Sequence, residues 1–141
     1  MGGRSRLLDT NVVSETRKRN GSAQVKDWIG AAHGPLLYLS SLTVGEIRWG
    51  VELRRRSDPA QATALERWLY GLHRRFRDRI IPVTSEVTEE WGRLNAIRTL
   101  PTVDGLLAAT ARVNGWTLVS RNVKDFAGTG VSVVNPFELI R

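Results

Sequence analysis

Four carboxylates stand out because of where they fall. Asp9 ends the short apolar run Leu7-Leu8, and Glu46 follows the apolar run Leu36-Leu37-Tyr38-Leu39. Asp104 opens a segment that is apolar almost all round, and Asp125 follows Trp116-Thr117-Leu118-Val119 by a short loop. Acidic groups held close together raise one another's pKa and call for a cation. Neither His nor Cys accompanies them, so the donor set is all oxygen, which suits Mg²⁺ or Mn²⁺ and argues against zinc. A hard cation on carboxylates beside Arg-rich surfaces is what phosphodiester hydrolysis requires, with an activated water as the attacking group. Acyl transfer fits less well, since the chain has no Gly-x-Ser-x-Gly turn. Neither histidine reads as catalytic: His33 sits at an expected helix end, where a cation suits the dipole, and His73 reads as surface.

Each carboxylate, taken singly, also has an ordinary structural role. Asp9 is a natural helix cap. Thr43-Val44-Gly45-Glu46 matches a capping box. Asp104 suits a helix dipole, and Asp125 reads as a loop residue. It is the conjunction that carries the chemistry. In an open α/β sheet the working crevice lies outside the carboxyl ends of the strands. Parallel strands would deliver Asp9, Glu46 and Asp125 to that one edge. Asp104 joins them if its helix starts there.

The elements that must do this positioning are legible as alternating short apolar runs and helical stretches. Strands are expected at Leu7-Leu8, Leu36–Leu39, Ile80–Val83, Trp116–Val119 and Val131–Val134. Pro82 lacks a backbone donor and sends the third to a sheet edge. Helices are expected over Val25–Ala32, about Thr43–Arg56, from Asp58-Pro59-Ala60-Gln61 onward, from a Thr84-Ser85 cap to about Arg98, and from Pro101-Thr102 to Asn114-Gly115. Ala64, Leu65, Trp68, Leu69 and Leu72 form a core stripe on the third of these, and the last should be central and buried. The class is α/β, with a central parallel sheet and helices on both faces.

Length and composition set the frame. At 141 residues, 41% hydrophobic and 25% charged, residues 1–141 read as one globular domain, with 1–5 as a flexible N-terminal extension. There are no cysteines, which excludes disulfides, thiolate metal sites and a cysteine nucleophile. No apolar run is long enough to span a bilayer or to serve as a signal peptide, so a cytoplasmic location is expected. Twenty-one Lys and Arg against 14 Asp and Glu give a net charge of +7. The excess clusters at Arg17-Lys18-Arg19, at Arg54-Arg55-Arg56, and at Arg74, Arg75, Arg77 and Arg79, a distribution that attracts polyanions.

Four stretches occur in order along the chain: Leu7-Leu8-Asp9-Thr10-Asn11, Ser41-Leu42-Thr43-Val44-Gly45-Glu46-Ile47, Val103-Asp104-Gly105-Leu106-Leu107-Ala108-Ala109-Thr110-Ala111, and Leu118-Val119-Ser120-Arg121-Asn122-Val123-Lys124-Asp125-Phe126. Together they resemble the motifs of bacterial PIN-domain toxins, nearest to the VapC and FitB type, over roughly Leu7 to Phe137. The resemblance implies a three-layer α/β/α sandwich, Mg²⁺-dependent RNA cleavage with Mn²⁺ as a plausible substitute, a homodimer, and inhibition by a cognate VapB- or FitA-like antitoxin. Carried over by position, Asp9 and Asp104 match the principal metal ligands and Glu46 the second acidic residue. Thr10, Ser120 and Asn122 are auxiliary polar groups. Many relatives carry Asp where this chain has Asn122, which leaves Asp125 as the nearest carboxylate of the fourth motif.

Two other readings compete. A catalytically silent PIN-fold module that only binds nucleic acid would follow from the Asn122 departure, since function lives in sites rather than folds. A phosphatase or receiver domain ranks lower, because Asp9-Thr10-Asn11 lacks the second acid of a nucleophilic Asp-x-Asp motif. The five tryptophans read as core or interface residues, with Trp68 inside. Trp49 is the one placed to line an RNA or antitoxin groove.

Overall fold

Residues 5–31 and 34–138 are described by a computed structural model. Five short strands, β1 (Arg6–Leu8), β2 (Leu37–Ser40), β3 (Ile80–Ile81), β4 (Thr117–Val119) and β5 (Val133–Val134), pair in parallel in the order β3-β2-β1-β4-β5. Successive side chains of a strand point to opposite faces, and here both faces are covered. Leu8, Leu37, Leu39 and Val119 join a core with α1 (Thr10–Glu15), α2 (Ala23–Ala31), α3 (Ser41–Ser57) and α4 (Pro59–Phe76). Leu7 and Leu118 turn the other way, into a core with α5 (Ser85–Ile97) and α6 (Thr102–Asn114). The result is the expected α/β/α sandwich.

The strand order locates the crevice. From β1 the chain winds through α1 and α2 to β2, then through α3 and α4 to β3, all on one face. It then crosses to the other face for α5 and α6 and returns to β4 beside β1. Connections leaving in opposite directions from neighbouring strands open a gap at their carboxyl ends. That gap lies over β1 and β4.

Several caps read from sequence appear as expected. The Asp58 carboxylate accepts the Gln61 N–H at 3.2 Å with Pro59 in the first turn, Thr84 caps α5, and Gly115 ends α6 with φ of 68°. β3 is an edge strand, stopping just before Pro82. Other boundaries differ. α3 starts at Ser41, because the Ser40 hydroxyl accepts the Leu42 N–H and supplies the cap, so the capping box does not form. Glu46 therefore lies in the second turn. On α4 the buried positions are Ala62, Leu69, Leu72 and Phe76, with Trp68 partly buried and Ala64 exposed. The stripe thus runs from Ala62 through Leu69 and Leu72 to Phe76 and leaves Ala64 outside. Ser5, assigned to the extension, is tied to the sheet through its carbonyl, which accepts the Thr117 N–H at 3.1 Å. Residues 1–4, Ala32 and His33 lie outside the described residues. Among those described, no helix is long and apolar enough to cross a membrane.

Candidate metal centre

Asp9 is where β1 stops. Its N–H donates to the Val119 carbonyl at 2.8 Å, the last rung between β1 and β4, and its extended backbone caps α1. The side chain is 5% exposed, and three donors converge on it. The Thr10 N–H reaches Oδ1 at 2.7 Å, while the Ser120 hydroxyl and the Asn11 amide reach Oδ2 at 2.8 and 3.3 Å. Burial pushes the carboxyl up, the bonds from Ser120 and Thr10 pull it down, and the charges of Asp104 and Glu46 push it up again, leaving it raised. Capping and site chemistry thus coincide in one residue.

The other acids arrive from three further segments. Glu46 on α3 accepts a short hydrogen bond from the Thr10 hydroxyl, which stands 3.2 Å from that of the buried Thr43. Asp104 lies in the first turn of α6, the helix that does start at this edge. Its carboxyl is raised by burial, then by the charges of Asp125 and Glu46. Asp125 sits in the 3-10 turn Val123–Phe126, anchored by the buried Phe126. Ser120 is fully buried at the end of β4, and its oxygen also accepts the Asn122 N–H at 3.0 Å. Asn122 itself is exposed at the mouth of this loop.

Every carboxylate singled out in the sequence therefore shares one electrostatic neighbourhood. Two further participants emerge only from the fold. Asn11 bridges Asp9 and the Arg121 N–H, the latter at 3.2 Å, and Thr43 backs Thr10. Both act across sequence separations that no local pattern reveals, although Asn11 lies within the first motif.

The donor chemistry fits a hard divalent cation. Among the described residues, no Lys, Arg or His forms an ion pair with Asp9, Glu46, Asp104 or Asp125. Uncompensated charge in a partly buried cleft is costly. Oδ1 of Asp9 accepts one bond and retains a further lone pair, while Oδ2 already accepts two. Among the described residues, no three acidic or histidine side chains stand in ready-made ligand geometry.

The basic clusters are less uniform than their sequence suggests. Arg79 donates to the Gly34, Leu37 and Arg75 carbonyls, at the amino end of β2, so the Arg74–Arg79 cluster lies at the sheet edge opposite the crevice. Arg55 is ion-paired with Glu52 and Glu66. At 1.5 Å of rise per residue, Arg54 stands roughly 12 Å along α3 from Glu46. Of the Arg17-Lys18-Arg19 cluster beyond the end of α1, Lys18 pairs with Glu15 at 3.2 Å. Trp49 is 67% exposed beside Leu53 on α3, and His73 is exposed on α4.

Comparison with known proteins agrees with this fold. A family model described as PIN domain matches residues 6–130. The chain is 36% identical to "Plasmid stability protein StbB" of Pseudomonas syringae pv. tomato, covering 94% of this chain and 98% of that one. It is 30% identical to "VapC ribonuclease Y4jK" of Sinorhizobium fredii, covering 94% and 97%. Among solved structures, FitAcB from Neisseria gonorrhoeae superposes with a TM-score of 0.89 at 29% identity, covering 95% of this chain and 99% of that one.

Proposed function

The chain belongs to the PIN-domain family, and from that footing we propose that it is a divalent-metal-dependent endoribonuclease, the toxin of a toxin–antitoxin pair. The observation that carries the reading is the meeting of Asp9, Glu46, Asp104 and Asp125, from four separated segments, at the carboxyl edge of a parallel sheet. Asp9, Glu46 and Asp104 are the residues that would hold the ion. When bound there, a divalent cation supplies Lewis acidity toward water and phosphoryl oxygen. The chain supplies the orientation. Ser120 and Asn11 fix the plane of the Asp9 carboxylate, and Thr10 fixes that of Glu46. Asp125 sits on the Asp104 side, where it accepts a proton or braces the loop while Asn122 offers a neutral oxygen. RNA is the proposed substrate, consistent with a relative named as a ribonuclease. A VapB- or FitA-like antitoxin, a homodimeric state and a cytoplasmic location complete the proposal, in keeping with structural neighbours such as the toxin–antitoxin complex from Klebsiella pneumoniae.

Asp9→Asn tests it. The variant removes one charge from the cleft while keeping the side chain's shape. Cleavage of a labelled RNA in Mg²⁺ should fall at least ~10²-fold, with circular dichroism unchanged, on the scale expected when a group essential to charge stabilisation is lost. Cleavage at the parent's rate would refute the assignment. Calorimetric titration with Mg²⁺ separates it from a binding-only module, which would give no carboxylate-dependent heat.

A further inference from the structure

The arginines that brace this fold are bonded to the protein itself. Arg48 and Arg55 share Glu52 and Glu66, Arg93 and Arg112 share Glu90, and Arg79 and Arg98 donate to main-chain carbonyls. Arg121 does neither. It is exposed, it directly follows Ser120, and its side chain forms no ion pair among the described residues. It is nevertheless ordered by another means. Its guanidinium carbon lies 3.7 Å from the centre of the Phe137 ring, against 5.0–5.9 Å for the other four such pairs. A guanidinium stacked on a ring keeps its edge donors available for a planar anion such as phosphate.

The main chain on both sides of the stack is pinned. The Arg121 N–H donates to Asn11, its carbonyl accepts from the Asn135 amide at 3.3 Å, and the Asn135 carbonyl oxygen accepts the Phe137 N–H at 2.9 Å. One asparagine thus holds both members of the stack, and the arginine is ordered before any ligand arrives, which lowers the entropic cost of binding. Arg121 lines a recess of about 290 Å³ with Asn122, Lys124, Asp125 and Glu138. Lys124 also forms no ion pair among the described residues. Asp125 belongs to this recess and to the carboxylate cluster at once, so the two are continuous. On the other side Glu15 feels the Arg121 charge and pairs with Lys18 at 3.2 Å.

The geometry points to the recess at Arg121 and Lys124 as a phosphate-binding subsite for single-stranded RNA, seating a backbone phosphate next to the one at the carboxylates. The inference rests on the nuclease reading, and two measurements keep their failures apart. The first is anisotropy of a labelled 2′-O-methyl oligoribonucleotide in EDTA, where nothing is cut. Arg121→Gln should weaken binding about tenfold, as for loss of one charged hydrogen-bonding group. It should also reduce the slope of log K against log salt by about 0.7, one single-strand phosphate contact. Arg121→Lys should restore part of the affinity. The second is steady-state cleavage in Mg²⁺, where Arg121→Gln should raise KM with kcat little changed, since the contact is made before and during reaction. Unchanged affinity and salt slope, with only a lowered Tm, would reduce Arg121 to a clamp on the Phe137 segment and overturn the subsite. A parent protein that binds through Arg121 but cuts no RNA would refute the nuclease reading and leave the subsite standing.

Discussion

Ser120 controls how readily Asp9 loses its proton. Burial works against the charged carboxylate, and the Ser120 hydroxyl is the strongest of the groups that favour it. A metal ligand must be deprotonated, so protons compete with the cation at Asp9. In Ser120→Ala the opposing bond disappears, and the Asp9 pKa rises further above the ordinary carboxylate range. The acid limb of the pH–rate profile for metal-dependent cleavage should move to higher pH. A charged hydrogen bond of about 1.5–3 kcal/mol corresponds to a shift of roughly one to two pH units. A limb that stays in place would mean that Ser120 merely fills space at the end of β4. This residue shows what a sequence can reveal about a site. Asp9, Glu46, Asp104 and Asp125 are visible because acids bordering apolar runs are conspicuous. Asn11 and Thr43 are not, because their roles depend on partners 110 and 33 residues away.

Asp104 reaches the cleft only because α6 packs closely on α5, and Gly105 permits that approach. A Cβ at position 105 would lie 3.0 Å from both Cδ1 and Nε1 of Trp91. The Trp91 Nε1 is buried and has no hydrogen-bond partner among the described residues, so this contact is purely steric. Gly105→Ala sets two effects against each other. Helix propensity favours Ala by about 1 kcal/mol, while overpacking costs about 1–3 kcal/mol. With an indole ring held between two helices, the second should win, lowering Tm by a few degrees, at about 2–4 °C per kcal/mol for a domain near this size. It should also reduce cleavage by displacing Asp104. Trp91→Phe provides the room, so Gly105→Ala should be nearly harmless in that background. An equal penalty in both backgrounds would place the cause elsewhere. At this scale the sequence is informative wherever local chemistry sets a boundary, as at Asp58, Thr84, Gly115 and the Pro82 edge. It misleads where packing decides. Ser40, a strand residue by position, takes over the cap of α3, and Ala62 rather than Ala64 enters the core on α4.

Across the whole molecule, a chain of net charge +7 keeps together in one cleft four carboxylates that form no ion pair among the described residues. The surrounding positive field lowers the cost of that arrangement, but Asp9 and Asp104 remain raised, so the cluster opposes folding when no cation is bound. The sign follows from proton linkage. A carboxylate with a raised folded-state pKa binds protons more tightly folded than unfolded, so its contribution to stability falls as pH rises from its ordinary value through the raised one. Above that window the metal-free protein carries the full repulsion. Asp104→Asn removes one of the charges at a position whose charge feels only burial and repulsion. In EDTA at about pH 8 it should therefore raise Tm modestly, since solvent screens part of the repulsion at this half-exposed position. Mg²⁺ should have the opposite ranking. It stabilises whichever protein binds it in the folded state, by RT ln(1 + [L]/Kd), so the parent should gain Tm and the variant gain little. The two melting temperatures should exchange order as Mg²⁺ is titrated, which differential scanning fluorimetry can follow without any RNA. If Asp104→Asn were instead less stable in EDTA, Asp104 would be acting as a structural cap on α6, and its place in the cation cluster would have to be withdrawn.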